Sequence, residues 1–202
     1  LDTILHDDFA AVEALSFVLG DSPSGRLYKA LVEPGIASQV GSIVFRLPEP
    51  SLLLVYANLP EDGDLEKARE ITLETLADLE ANPPTEEEVK RAVASLTSDM
   101  ERTLNDSSRV GIGLSEWAAA GDWRMLFLHR DRLEQITADD VRLAAETYIV
   151  RDNRTVGRFI PEDEPQRAVI VGQRRVVIAT LTRRAHCVSV DHHGGTRTPR
   201  QE

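Results

Sequence analysis

Apolar positions in the first part of the chain recur at helical spacing and predict two helices. In residues 8–19 (DFAAVEALSFVL) the side chains near one face are mostly apolar, and Gly20 ends the pattern. A second, shorter helical stretch covers residues 26–31, where Ser24 can act as the N-cap. Because Pro34-Gly35 does not favour a continuing helix, we expect the chain to turn there.

The hydrophobic pattern then changes to one that is typical of strands. Residues 37–47 are rich in β-branched and aromatic side chains, and residues 51–59 (SLLLVYANL) form a continuous apolar run. Such a run is typical of a strand that is buried on both faces. The connection Pro48-Glu49-Pro50 is short, which predicts that the two strands pair in antiparallel fashion.

The middle of the chain is predicted to be helical. Its clearest start is Thr85-Glu86-Glu87-Glu88, a capping box in which the Thr85 hydroxyl and the Glu88 carboxylate each accept from the other residue's amide. Asp122 is expected to cap the helix that follows it, and residues 153–160 (NRTVGRFI) alternate as a strand does. The predicted helices cover residues 64–81, 86–104, 107–117, 123–135 and 138–148.

These elements predict an α+β fold, an α/β sandwich-like unit in which an antiparallel or mixed β-sheet packs against several helices. Three strands make a thin sheet, so we expect its first strands to precede residue 1. The chain begins with Leu1 and is interpreted as part of a longer one. The predicted domain covers residues 1–164.

Composition changes near Pro165 and sets residues 165–202 apart as a basic tail. This segment contains seven arginines and two carboxylates, which gives it a net charge of +5. Because the whole chain carries −11, residues 1–164 carry −16. Residues 176–179 could form one strand, whereas residues 186–202 are polar and rich in Arg and Thr, which predicts disorder. A shifted reading frame is the alternative explanation of this tail.

The overall charge argues against a nucleic-acid-binding protein. No run of about 18 apolar residues occurs, so a membrane span is not expected. The N-terminal residues do not have the basic and apolar blocks of a signal peptide. Cys187 is the only cysteine, which excludes an internal disulfide.

Motifs that carry catalysis do not occur in the sequence. Walker A, the dinucleotide fingerprint and the G-x-S-x-G nucleophile motif are all missing. His6 and His129 belong to neither H-E-x-x-H nor H-x-x-E-H, so no helical zinc pair is available. The tail holds residues of zinc-ligand type at no standard spacing, which we interpret as an incidental cluster: His186, Cys187, Asp191, His192 and His193. We therefore predict no catalytic residue and no metal ligand in this chain.

Several segments together resemble the pitrilysin (insulinase-like) zinc metallopeptidases, the inverted zincins. Residues 31–40 (LVEPGIASQV) are similar to the family's L-R-E-K-G-L-A-Y-S-V. The segments YANLPEDGDLEKA, PPTEEEVKRA and ITADDVRLAAETYIVRDNRTVGRFIPED follow in the family's order. NRTVGRFIPED resembles the long, multi-domain bacterial branch. The resemblance covers about residues 8–168.

The resemblance implies a homologous unit in which a sheet packs against helices. In the family, two halves, each made of two such units, together enclose a chamber like a clamshell. In the family, the first unit holds zinc on H-x-x-E-H and a later Glu, and the metal polarises a water. This chain lacks that motif and is similar to a non-catalytic unit. Zinc is therefore expected in a partner catalytic domain, in the same polypeptide or a separate subunit, and peptide is expected as the substrate.

Two positions in residues 31–40 depart from the family pattern. Active second halves offer an Arg and a Tyr there as substrate contacts near the zinc, and this chain has Val32 and Ser38 instead. An isopropyl group cannot replace a guanidinium in stabilising charge. The resemblance thus implies that this unit comes from another quarter of the clamshell, or that its branch holds peptides differently.

The leading hypothesis is a non-catalytic domain that helps to form the proteolysis chamber of a larger zinc metallopeptidase and to enclose its peptide substrate. An alternative is a structural or assembly module that reuses the fold, as in the related core subunits of respiratory complexes. A third is a degraded fragment without function. Exported relatives imply the periplasm as the compartment, and the cytoplasm stays an alternative.

Overall fold

A computed structural model of the chain describes residue 4 and residues 6–47 and 51–160. The fold of this part is α+β, with one antiparallel strand pair on one side of a group of helices. In chain order the elements are α1 (Phe9–Gly20), a π-helical segment (Tyr28–Val32), β1 (Gln39–Val44), β2 (Leu53–Asn58), α2 (Leu65–Ala81), α3 (Glu86–Leu104), α4 (Ser107–Ala120), α5 (Met125–Gln135), α6 (Ala138–Tyr148) and a 3-10 turn (Arg151–Asn153).

Helix α1 lies at the centre of this arrangement. It is apolar on nearly every side, and a helix of that kind has to be buried all round. It packs against β1 on one side and against α3, α5 and α6 on others. Leu15 and Leu19 are fully buried in the main hydrophobic core, which the helices α2, α3 and α6 complete.

The strands β1 and β2 pair antiparallel, as predicted, in a register that runs from Gln39 opposite Asn58 to Val44 opposite Leu53. The face that carries Ser42 is turned toward α1, where the hydroxyls of Ser16 and Ser42 lie 2.8 Å apart. A Cβ added to Gly20 would lie 2.4 Å from the Ser42 amide nitrogen. The close approach of helix and strand therefore requires a glycine at this position.

The prediction that residues 51–59 are buried on both faces is wrong. Leu52 and Leu54 are 54% and 39% exposed, and Ile43, which pairs with Leu54, is 45% exposed. The described residues cover only the face of the hairpin that meets α1. A continuous apolar run therefore does not distinguish a fully covered strand from one whose second apolar face is open.

Helix starts follow the sequence in most places. Thr85 and Thr137 form complete capping boxes with Glu88 and Asp140. The prediction that Ser24 caps the second helix is wrong, because its hydroxyl donates to Asp21 Oδ2 at 2.5 Å instead. Helix α5 begins at Met125, two residues later than predicted. The Asp122 carboxylate accepts from the Arg124 amide at 2.9 Å and so forms a turn ahead of the helix.

The strand predicted over residues 153–160 is not formed within the described part of the chain. Residues 154–160 follow the 3-10 turn without strand pairing, and Arg158 forms an ion pair with Glu66 on α2. A strand needs a neighbouring strand for its backbone hydrogen bonds, and β1 and β2 are the strands that the described residues provide.

A second, smaller hydrophobic cluster lies beside the main core. It is built around Trp117 on α4 and includes Phe9 and Leu126. Among the described residues, no helix combines the length and the apolar character that a bilayer crossing demands. The domain boundary expected near Pro165, the strand predicted over residues 176–179 and the remaining tail fall outside the described residues.

Candidate substrate-contact region

Val32 and Ser38, the two positions predicted as substrate contacts, lie in the connection between the π-helical segment and β1. Val32 is the last residue of that segment, and Ser38 directly precedes the first residue of β1. The structure therefore places both in one short helix–turn–strand unit. We refer to residues 31–40 below as the contact segment.

The backbone of the contact segment turns sharply after Val32. The amide of Gly35 donates to the carbonyl of Val32 at 2.9 Å, and Gly35 has a φ of 77°. That left-handed conformation is available to glycine at little cost. The amides of Ile36 and Ala37 both donate to the carbonyl of Leu31 at 2.9 Å and close the end of the helix. The Pro34-Gly35 turn predicted from the sequence is therefore formed.

Val32 takes part in packing. Its side chain is partly buried and lies against the main hydrophobic core. A valine side chain has no hydrogen-bond donor, so it cannot stabilise a carbonyl oxygen or a carboxylate as an arginine does. At this position the contact segment offers a substrate only apolar surface.

Ser38 is exposed, but its polar groups already have partners. Its hydroxyl and its amide both donate to the carbonyl of Asn58, at 2.9 and 2.8 Å. These bonds fasten the start of β1 to the end of β2. The serine thus has a structural role that a tyrosine hydroxyl, farther from the backbone, could not perform in the same way.

Arg26 is the feature of this region that the sequence analysis missed. Its guanidinium donates two hydrogen bonds of 2.9 and 2.8 Å to the carboxylate of Glu88 on α3. It also donates to the carbonyls of Asn82 and Pro83. The Arg26 and Glu88 side chains are 17% and 15% exposed. Arg26 therefore holds the helical turn that precedes the contact segment against the junction of α2 and α3.

Glu88 accepts hydrogen bonds from Arg26 and also completes the capping box with Thr85. Only the capping role could be predicted from the sequence. Hydrogen bonds from Arg26, together with those from Thr85, outweigh the effect of burial and lower the pKa of Glu88 to about 2. The carboxylate is consequently ionised at neutral pH. The partner of Arg26 lies 62 residues away, and no local sequence signal connects positions at that separation.

A second ionic network joins the largely buried Glu13 and His129 to Arg46, whose side chain is 42% exposed. His129 Nε2 donates to Glu13 Oε2 at 2.7 Å, and Arg46 donates to Glu13 Oε1 at 2.6 Å. The imidazole is buried between the rings of Phe9 and Trp117, with ring centroids 5.6 and 5.2 Å away. No serine, threonine or cysteine side chain hydrogen-bonds to His129 in the described residues, so the network lacks a nucleophile.

The partners of Glu13 keep its carboxylate ionised. Burial alone would raise the pKa of Glu13, but the hydrogen bond from His129 and the charge of Arg46 lower it to about 2. We interpret the network as a charged core connection between α1, α5 and the end of β1. In the sequence, His129 stands out only as a residue of zinc-ligand type, and no local pattern connects it with Glu13, 116 residues away.

A zinc site has no basis in the described residues, where no three side chains of ligand type come close enough to hold a metal ion. The tail cluster of His186, Cys187, Asp191, His192 and His193 lies outside them. Of the two tryptophans, Trp117 is buried in the second cluster, and Trp123 is 51% exposed.

The chain is similar to inactive peptidase domains. Residues 2–96 match the family model of the peptidase M16 inactive domain. The inactive peptidase domain of a candidate zinc protease from Bordetella parapertussis is 40% identical, with a TM-score of 0.76, and the match covers 84% of this chain and 91% of that one. A candidate zinc protease from Bordetella pertussis Tohama I is 39% identical, with a TM-score of 0.74, over 80% and 90% of the two chains.

A more distant structure shares the fold alone. A protease from Helicobacter pylori is 23% identical with a TM-score of 0.69, and the match covers 74% of this chain but 37% of that one. The Helicobacter protein therefore contains much more than the shared unit. A search of the curated proteins found no match.

Proposed function

Because this chain belongs to the peptidase M16 inactive-domain family and is a non-catalytic domain of a peptidase, we propose that it helps to form the proteolysis chamber of a zinc metallopeptidase and to enclose the peptide substrate. A catalytic domain, in the same polypeptide or in a separate subunit, would bind the zinc and perform the hydrolysis. The observation that carries the proposal is the likeness to an inactive peptidase domain over nearly its whole length.

The side chains of the described residues support a function in which another domain performs the hydrolysis. The described residues offer neither a zinc-ligand set nor an activated nucleophile. A domain without these groups can contribute to hydrolysis only by binding, enclosing or positioning the peptide. The contact segment supplies an apolar surface at Val32 and backbone-anchored geometry at Ser38.

The open face of the β-hairpin supports contact with further protein. Ile43, Phe45, Leu52 and Leu54 are large apolar residues, each at least 39% exposed, on one face of two paired strands. Contiguous apolar surface of this kind is uncommon on isolated soluble proteins and is typical of an interface. In the proposed enzyme, this face would be covered when the unit is assembled.

The contact segment can be tested in the assembled peptidase. We expect Ser38→Tyr to change KM for a peptide substrate by about threefold or more with little change in kcat, because the larger ring changes how the substrate is held. The variant loses the hydroxyl bond to the Asn58 carbonyl but keeps the bond from the residue 38 amide. The measurement is steady-state kinetics of the catalytic domain together with this chain. Glu70→Tyr, at an exposed position on α2, is the matched control.

The two variants separate the alternatives. Equal kinetics for Ser38→Tyr, Glu70→Tyr and the unmodified chain would place the contact segment away from the substrate and refute its enclosing role. If the chain is instead an assembly module, Ser38→Tyr leaves peptidase kinetics unchanged, and neither variant affects complex formation.

A further inference from the structure

A cavity of about 370 Å³ is lined mainly by residues of α3 and α4, together with Leu126 and Leu133 of α5. Leu96 and Met100 of α3 face Ile112 and Gly113 of α4 across it. Trp117 and the Glu13–Arg46 ion pair also line it. The lining therefore combines apolar side chains with charged ones.

Most charged groups around the cavity already have partners. Arg46 is paired with Glu13 at 2.6 Å, and Asp99 with Arg102 at 3.1 Å. Arg109 lies 3.6 Å from Asp106. The two basic groups of the lining are therefore neutralised, and they do not form a free anion site.

Glu116 is different from these groups. It lies on α4, is exposed and lines the cavity, and it forms no hydrogen bond or salt bridge with any other described residue, although it is attracted by the charge of Arg46. Because residues 1–164 carry a charge of −16, the surrounding field also favours a cation over an anion. A carboxylate without a hydrogen-bonded partner, beside the apolar side chains Leu96, Met100 and Trp117, suits a ligand with one positive charge and an aliphatic stem.

We propose that this cavity binds a monocationic guanidinium or ammonium group on an aliphatic stem, such as an arginine or lysine side chain. The stem lies between Leu96, Met100 and Trp117, and the cationic group donates hydrogen bonds to Glu116. Charge-assisted hydrogen bonds to a carboxylate give the site its preference for the cation. The site does not depend on the proposed role in a peptidase.

The probe is N-acetyl-arginine amide, titrated into the isotope-labelled full chain while NMR amide shifts of α3 and α4 are followed. We expect saturable binding with a Kd on the order of 1 mM, as suits a ligand of this size. N-acetyl-citrulline amide has nearly the same shape without the charge, and we expect it to bind about fivefold more weakly or worse.

Two variants test the location, and each has a matched control. Glu116→Gln should weaken binding about fivefold or more, whereas Glu101→Gln, an exposed change on α3, should not. Gly113→Leu should abolish binding, because a Cβ there lies in ordinary contact, 3.7 Å from Thr103, and the longer side chain fills the cavity. Gly111→Leu has no atom within 4 Å of its Cβ and should bind normally.

The outcomes are decisive in both directions. Equal binding of the citrulline analogue, unchanged binding in both Glu116→Gln and Gly113→Leu, or no saturable shift at about ten times the expected Kd overturns the proposal. If the site exists, n-butylguanidinium and the peptide Ala-Ala-Arg-Ala-Ala distinguish its source. Tighter binding of the peptide assigns the site to a peptide side chain, and equal binding assigns it to a small cation; either result supports the cation site.

Discussion

At the scale of single residues, two arginine–carboxylate pairs, each with a largely buried carboxylate, connect parts of the chain that are far apart in sequence. Arg26 with Glu88 fastens the contact segment's helix to α3, and Arg46 with Glu13 and His129 connects β1, α1 and α5. A buried pair adds little over a well-packed apolar one, but losing one partner leaves a buried charge uncompensated. Both pairs should therefore be sensitive to single substitutions.

Glu13 makes stability depend on acid pH. Its pKa falls from 4.5 to about 2 in the folded chain, so its contribution is complete above pH 4.5 and is lost as the pH falls toward 2. Glu13→Gln should lower the free energy of unfolding at neutral pH by about 3 kcal/mol and reduce its fall between these pH values. Urea unfolding as a function of pH measures both effects.

The matched control for this change is Glu74→Gln, at an exposed position on α2. It should leave both the stability and its pH dependence nearly unchanged. An unchanged acid dependence in Glu13→Gln would show that the network is not the source of the ionic stabilisation. Glu88, whose pKa is also lowered to about 2, is expected to account for the remaining dependence.

Arg26 should matter for stability more than an exposed arginine does. Arg26→Met is expected to lower the free energy of unfolding by about 2–4 kcal/mol, because Glu88 and two backbone carbonyls lose their donor. Arg26→Lys should recover only part of that loss, since an ammonium cannot form the two parallel bonds to Glu88. Chemical denaturation of the variants gives the values.

Arg69→Met serves as the comparison, because Arg69 is exposed on α2 and lies 3.7 Å from Glu66. A surface pair of this kind contributes at most about 1 kcal/mol. Equal losses for Arg26→Met and Arg69→Met would contradict a clamping role for Arg26.

At the scale of elements, two positions favour glycine for different physical reasons. Gly20 lets α1 approach β1, and an added Cβ would lie 2.4 Å from the Ser42 amide nitrogen. Gly35 has a φ of 77° but free space around its Cβ position. Gly20→Ala should therefore destabilise by more than about 2 kcal/mol, because backbone has to move. Gly35→Ala should cost only about 1 kcal/mol of backbone strain.

Thermal or urea unfolding of both variants tests this order. If Gly35→Ala proves the more damaging change, the helix–strand contact is looser than the structure shows. Because neither glycine lies at the α3–α4 cavity, binding of the cationic probe should persist in any variant that stays folded.

Sequence patterns predicted local structure well and tertiary contacts poorly. Thr85 and Thr137 show their capping boxes within four residues, so both helix starts were predicted correctly. Ser24 failed because Asp21 competes for its hydroxyl, a choice that depends on how the chain turns. The strand expected over residues 153–160 failed because strand formation needs a neighbour, which periodicity cannot supply.

At the candidate site, too, local structure could be predicted from the sequence and tertiary contacts could not. Residues 31–40 were singled out from their resemblance to a family segment, and the turn at Gly35 could be predicted from its sequence. The partners of Arg26 and Glu13 lie 62 and 116 residues away, and no pattern in a single sequence joins such positions. The cavity between α3 and α4 likewise arises only from packing.

At the scale of the whole molecule, the chain is acidic, and its described part has an open apolar hairpin face and no group of three ligand-type side chains placed to hold a metal ion. Its likeness to inactive peptidase domains extends over most of its length. These properties fit a domain that acts through another one. The proposed enclosing role should become visible only when a catalytic domain is present.

The most direct test is reconstitution of peptidase activity. The proposed catalytic domain, identified by H-x-x-E-H in the same or a neighbouring reading frame, is purified, and cleavage of a fluorogenic peptide is measured with and without the chain. We expect the chain alone to be inactive, and the mixture to have a kcat/KM at least about tenfold above the catalytic domain alone, with a chelator abolishing it. Chelator-sensitive cleavage by this chain alone, or no gain from adding it to a catalytic domain that it binds, would contradict the account.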